Sequence, residues 1–182
     1  MMDKKQFSER DICSKFITPA LVQAGWNLQT QIREEVTFTA GRIIVRGRLH
    51  SRGKQRRADY LLSYQQNQPI AVIEAKDNSH SLGDGMQQAL AYSDALDVPF
   101  VFSSNGDGFL FHDRTGLGPA TETIYSLDEF PSPETLWERY CQYKGIAGPA
   151  RPVVEQPYYD DGSGKAPRYY QAVAINLSLI HI

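Results

Sequence analysis

Asp59, Glu74 and Lys76 stand in the order Asp-x14-Glu-x-Lys, and these residue types together suit divalent-metal chemistry on a phosphate. Two carboxylates hold Mg²⁺ through oxygen and leave positions for water and a phosphoryl oxygen. The metal lowers the pKa of bound water and neutralises phosphoryl charge. An adjacent ammonium orients the attacking water or steadies the pentacovalent state. The surrounding segment predicts how the three meet. Residues 59–64 read as one strand and 69–76 as a second, with turn residues 65–68 between them. Ile70, Ala71, Val72 and Ile73 leave the second strand no polar face, so it belongs in a buried sheet. Residues two apart on a strand share a side, so Glu74 and Lys76 emerge together while Ala75 faces away. A hairpin then sets Asp59 beside Glu74. On spacing alone, a strand-end ion pair is the favoured reading.

The chain of 182 residues is long enough for one domain with an appendage, and its 41% hydrophobic and 22% charged content is that of a soluble globular protein. A formal charge of −2 means that any nucleic-acid contact must be a local patch. One such patch exists. Arg42, Arg46, Arg48, Arg52, Lys54, Arg56 and Arg57 follow one another with no acid between them and run directly into Asp59. Arg46 and Arg48 share a strand face, and residues 51–57 read as a polar loop. The run is read as a clamp on backbone phosphates at the mouth of the carboxylate site, ahead of the alternative of a solvated strand and turn. Cys13 and Cys141 are too few and too separated for a disulfide framework. The N-terminus has no apolar signal region and no run approaches the ~20 apolar residues of a membrane helix. A cytoplasmic protein with no membrane partner is expected. The four histidines have no zinc spacing with the cysteines. Gly162-Ser-Gly-Lys165 lacks the remaining residues of a phosphate loop and reads as linker.

The elements that must carry these residues can be placed. Residues 8–24 predict a helix capped by Ser8 with Asp11 three residues on. Ile12, Phe16, Ile17, Ala20, Leu21 and Ala24 form its apolar stripe, Pro19 kinks or breaks it, and Gly25 ends it before Trp26. Glu9 lies off the stripe, as a solvated first-turn acid would. Residues 35–49 are β-rich, with Ala40-Gly41 a turn or bulge. A helix over 84–96 turns Met86, Ala89, Leu90 and Ser93 to the sheet, and Gln88 and Tyr92, four apart, share a face. Strand 98–103 follows, then a turn at 105–108 and a further strand. The crossover makes strands 70–76 and 98–103 parallel neighbours, so the sheet is mixed. Residues 113–131 read as a surface excursion with a short strand at 123–126. A helix over 132–143 starts at Ser132-Pro133 and has Leu136, Tyr140 and Tyr143 on its apolar side. The expected organisation is a domain over 1–145, a Gly/Pro-rich linker over 146–167, and the start of a further domain over 168–182. The apolar tail needs a partner, so the sequence is expected to be part of a longer protein.

The stretches SERDICSKFITPALVQAGW, RRADYLL, IAVIEAK, QQALAYSDALDVPFVFSSNG and RYYQAVAI occur in this order over residues 7–177. Together they resemble the N-terminal part of the R (restriction, motor) subunit of type I restriction–modification enzymes. The resemblance implies an α/β restriction-endonuclease-like PD-(D/E)xK core, a mixed central sheet flanked by helices, with Ala58 in place of the motif's proline. It implies Asp59 and Glu74 as Mg²⁺ ligands and Lys76 as the catalytic lysine. Gln88 and Tyr92 match the Q-xxx-Y motif of RecB-type nucleases, and Glu9 matches the first-helix acid that approaches the metal. Arg168 and Gln171 resemble the adenine-recognising Q motif opening a superfamily 2 motor, so ATP belongs to the full-length protein only. The sequence stops before any Walker motif, and its last residues, LSLIHI, depart from the family pattern. The implied partners are double-stranded DNA and the methyltransferase and specificity subunits. A non-catalytic docking module of the same fold, or another RecB-type defence or repair nuclease, remain the alternatives.

Overall fold

A computed structural model describes residues 4–39, 44–46, 49–51, 55–65, 68–146, 148–155 and 178. The N-terminal helical rod begins with a capping box. The Ser8 hydroxyl accepts from Asp11 N–H, and the Asp11 carboxylate accepts from Ser8 N–H. Helix α1 (Glu9–Ile12) and helix α2 (Thr18–Gln23) are joined without interruption by a π-turn, Cys13–Ile17. The expected break at Pro19 is therefore absent. Proline has no N–H to donate, and its ring would collide with the carbonyl four residues back. The wider turn, closed by Thr18 N–H to Cys13 O, makes room for it. Gly25, at φ +98°, ends the rod, and Trp26 is buried with its indole N–H on Pro131 O at 2.9 Å.

The sheet has six strands in the order β1-β4-β5-β6-β7-β8. They are β1 (Ile32–Thr39), β4 (Gln55–Ser63), β5 (Pro69–Ala75), β6 (Phe100–Ser104), β7 (Phe109–Asp113) and β8 (Glu122–Tyr125). β5 and β6 pair in parallel and every other neighbouring pair is antiparallel, so the sheet is mixed, as the crossover required. β2 (Ile44–Arg46) and β3 (Leu49–Ser51) form a separate hairpin. β4 starts four residues before the expected position. Gln55, Arg56 and Arg57 are strand rather than loop, because Thr39, Phe38 and Thr37 of β1 pair with them.

Helix α3 (Met86–Leu96) covers one face of the sheet, and the N-terminal rod with α4 (Pro133–Lys144) covers the other. Met86, Ala89 and Ser93 are buried as expected, Leu90 is only partly buried, and Tyr92 and Leu96 join the covered face. On α4, Ser132 caps, Pro133 opens and Gly145 closes in the left-handed conformation. Tyr143 is not on its apolar side. It is 43% exposed, whereas Trp137 and Cys141 share the buried stripe with Leu136 and Tyr140. Part of the segment that composition marks as linker is packed. Helix α5 (Arg151–Val154) buries Val154, Gln68 donates to the Val154 carbonyl, and Glu155 accepts from Trp137 Nε1 at 2.6 Å. No helix among the described residues is long and apolar enough to cross a membrane.

Candidate active site

β4 and β5 pair with Tyr60 opposite Ile73, so the next position along brings Asp59 beside Glu74 at the end of the sheet. Asp59 is fixed by its backbone surroundings: Ala75 N–H donates to Asp59 Oδ2 at 2.7 Å. Lys76 leaves the end of β5 on the side of Glu74. Its ammonium donates to Glu74 Oε1 at 2.8 Å and to the Ala75 carbonyl at 2.9 Å, and lies 3.7 Å from Glu9 Oε2 on α1. Asp59, Glu74 and Lys76 thus meet, and the rod brings Glu9 to them. On α3, Gln88 Nε2 donates to Tyr92 Oη at 2.6 Å, one helical turn apart.

These side chains line a cavity of about 580 Å³ together with Gln55, Arg56, Arg57 and Ala91. Gln55 and Ala91 were missed in the sequence. For Gln55 the sequence carries no signal, because residues 51–57 read as loop and only the pairing with Thr39 of β1 makes it strand. Ala91 contributes as a wall and as a carbonyl that accepts from Arg56 Nη1 at 3.5 Å. Of the expected phosphate-binding residues, Arg56 and Arg57 line the cavity and Arg46 lies in β2. Arg48, Arg52 and Lys54 lie outside the described residues, as do Arg168 and Gln171.

Arg56 and Arg57, consecutive on β4, point to opposite walls, and a turnover of the β1–β4 ladder beside them decides which wall each one takes. Tyr60 and Leu62 belong to the core under the rod and α4, whereas Ala58 belongs to the core under α3. β1 does the same: Ile32 faces the first core, Val36 and Phe38 the second. The switch falls at Glu35 and Asp59, where the ladder skips a pair between Glu34↔Tyr60 and Val36↔Ala58. Glu35 has φ +51°, a left-handed conformation that an L-residue without a short polar side chain rarely adopts. Past this point Arg56 reaches Ala91 on α3, and Arg57 turns to the α1 side, 3.7 Å from Glu35, which is itself 3.9 Å from Arg10.

The electrostatics of the cavity are those of an unbalanced acidic cluster. Burial, then the Asp59 charge, pushes Glu74 up to about 8 despite the Lys76 ion pair. Burial also raises Asp59 and Glu9, in each case against the opposing pull of Lys76. For Lys76 burial works downward, but Glu74, Glu9 and Asp59 together outweigh it and raise its pKa, so the ammonium is retained. Glu74 is 2% exposed and its Oε2 has no hydrogen-bond partner. A buried acceptor left open between carboxyl groups that all resist ionisation fits a hard divalent cation, which would supply the missing charge. Among the described residues no three His, Cys, Asp or Glu side chains are set around a common ion. The fitting donor set is therefore the pair Asp59 and Glu74, completed by water and phosphate oxygens as Mg²⁺ commonly is, with Glu9 joined to the pair through Lys76.

The family model for the N terminus of type I restriction enzyme R proteins matches residues 28–131. The chain is similar to the type I restriction enzyme EcoAI endonuclease subunit of Escherichia coli, 48% identical over 179 residues that make up 98% of this chain and 22% of that protein. It is also similar to a solved fragment assigned as an HsdR subunit of a type I restriction enzyme from Vibrio vulnificus YJ016, with TM-score 0.78 and 39% identity over 96% of this chain and 32% of that one. The chain thus spans about a fifth of the length of the curated relative.

Proposed function

Because the chain belongs to the family of type I restriction enzyme R protein N-terminal regions, we propose that it is the endonuclease domain of such a subunit. In this reading the fold is of the PD-(D/E)xK type and the activity is Mg²⁺-dependent hydrolysis of phosphodiester bonds in duplex DNA. The observation that carries it is the meeting of Asp59, Glu74 and Lys76 in one cavity, with a buried, unpartnered Glu74 oxygen and arginines on two walls.

Asp59 and Glu74 would hold the ion, which when bound supplies charge neutralisation at the phosphoryl group and a lower water pKa. The chain's own residues do the rest. Asp59 is kept from turning away by the Ala75 N–H. Lys76 spends two donors on Glu74 and the Ala75 carbonyl, which leaves its third to orient the attacking water or a non-bridging oxygen. Tyr92 Oη accepts from Gln88, so its own proton is available to a backbone phosphate. Arg56 and Arg57 approach the duplex from two walls, and such backbone contacts carry little base sequence. In the full-length protein, ATP-driven translocation would deliver the duplex, with Arg168 and Gln171 contacting adenine, and the methyltransferase and specificity subunits would supply the target. A cytoplasmic location follows from that assembly.

The test is calorimetric titration of the chain with Mg²⁺ or Mn²⁺, with and without a short duplex, beside Asp59→Ala and Glu74→Ala. Saturable binding lost in both variants supports the reading. Binding absent under both conditions, together with undiminished cleavage by an intact type I complex carrying Asp59→Ala, replaces it with the docking-module alternative.

A further inference from the structure

A second orphaned atom lies against the first. Ser103 sits beside Glu74 in the parallel β5–β6 register, is 0% exposed, and its hydroxyl oxygen has no hydrogen-bond partner. Native interiors seldom leave a hydroxyl dry and unpaired, and one that is so left calls for an explanation. Both side chains point to the α3 side of the sheet, as Val72 and Val101 on the same strands do. Gly85, the residue that opens α3, roofs them. A Cβ built there would stand 2.8 Å from Ser103 Oγ and 3.0 Å from Glu74 Cγ. Ser103 Oγ and the aliphatic stem of Glu74 thus both press against the Gly85 backbone, and any side chain at position 85 would collide with the two together. Glu74 and Ser103 are direct neighbours in the β5–β6 register, so rotation about the Glu74 side-chain bonds is the movement that would bring its carboxylate to the Ser103 hydroxyl.

We propose that Ser103 is a positioning residue for Glu74: its hydroxyl donates to the Glu74 carboxylate once that carboxylate holds a divalent cation, and Gly85 is kept small so that the contact can form. The proposal rests on the metal-dependent reading of the site. Lys76 already holds Glu74 Oε1. A second donor would then fix the plane of the carboxylate, and outer-shell donors of this kind typically contribute 10–100-fold to metal affinity. In the metal-free chain the hydroxyl has nothing to hold it, so its removal should not weaken the fold.

Opposite signs in two measurements separate positioning from support. Mn²⁺ affinity is measured by calorimetry, with and without a short duplex, for the chain, for Ser103→Ala and for Gly85→Ala. Thermal melts are recorded in EDTA. The expected result for Ser103→Ala is roughly tenfold weaker Mn²⁺ binding with a metal-free Tm that is unchanged or higher. Gly85→Ala should lose Mn²⁺ binding altogether, and any fall in its Tm leaves the Ser103→Ala result to decide. Unchanged affinity in Ser103→Ala while Asp59→Ala abolishes binding overturns the proposal and leaves the nuclease reading standing. A fall in both affinity and metal-free Tm reduces Ser103 to a packing role and also overturns it. Failure of the unmutated chain to bind Mn²⁺ under either condition overturns the nuclease reading and the proposal with it.

Discussion

Replacing Glu74 with glutamine should abolish metal binding and yet make the metal-free protein more stable. In the folded chain burial and Asp59 raise Glu74 from 4.5 to about 8. Between those values the folded protein keeps a proton that the unfolded chain has already released, so stability falls as pH rises through this window. At 1.36 kcal/mol per unit, the rise costs about 3 kcal/mol at pH 7. Glutamine resembles the protonated acid: it carries no charge, and its oxygen can still accept from Lys76 as Glu74 Oε1 does. The variant should therefore gain about 2–3 kcal/mol at pH 7 and more near pH 8, but almost nothing at pH 4, where both states of the wild type are protonated. For a chain of this length that corresponds to a Tm roughly 5–10 °C higher at neutral pH. Melts in EDTA at pH 4, 7 and 8.5 test this directly. Excess Mn²⁺ should reverse the order by stabilising only the wild type. A Glu74→Gln melt at or below wild type at pH 8.5, or a gain of the same size at every pH, would show that the site does not store the charge strain inferred from its geometry.

Other consequences are simpler to read. Glu35→Gly should be neutral or stabilising by up to about 1 kcal/mol, because glycine accepts a positive φ, whereas Glu35→Val should cost about 2 kcal/mol or more; paired urea melts give both signs. Arg56→Ala should weaken duplex binding equally for unrelated sequences and lower the slope of log K against log salt by about one, measurable by fluorescence anisotropy in EDTA. Val154→Ala should cost about 2 kcal/mol by opening a cavity under α5, seen as a lower denaturation midpoint; no change would mean that α5 is not held to the sheet.

The sheet-end cluster was legible because it depends on local rules. A period of two fixes Glu74 and Lys76 on one side, and a short turn returns the preceding strand to Asp59. The parallel crossover was legible for the same reason, since a strand, a helix of a dozen residues and a strand admit few connections. Ends were less legible. Gln55–Arg57 looked like loop because their composition is polar, and only their partners on β1 make them strand. Likewise α5 looks like linker until the stacked Tyr64 and Trp137, ring centroids 4.4 Å apart, and the buried Val154 give it a place to dock. At Pro19 the pattern predicts an interruption, and the sequence carries no sign that a π-turn takes the rod past it unbroken.

The turnover at Glu35 and Asp59 lies beyond any periodic reading, and it decides which wall of the cavity each arginine takes. A strand that kept its alternation through Asp59 would put Arg57, not Arg56, on the α3 wall, and Ala58 would fall under the rod instead of under α3. The slip reverses this assignment on two strands at once, which is why the pairing resumes in the same register beyond it. Arg56 then stands on the wall that carries Gln88 and Tyr92, while Arg57 stands on the wall that carries Arg10 and Glu9. A backbone passing over Asp59 and Glu74 would then meet Arg56 on the α3 side and Arg57 on the α1 side. The strained residue thus stands at the skipped position of the ladder, across from Asp59. The Glu35 carboxylate lies 3.7 Å from Arg57 and 3.9 Å from Arg10, which ties the strained residue to the wall on which Arg57 stands.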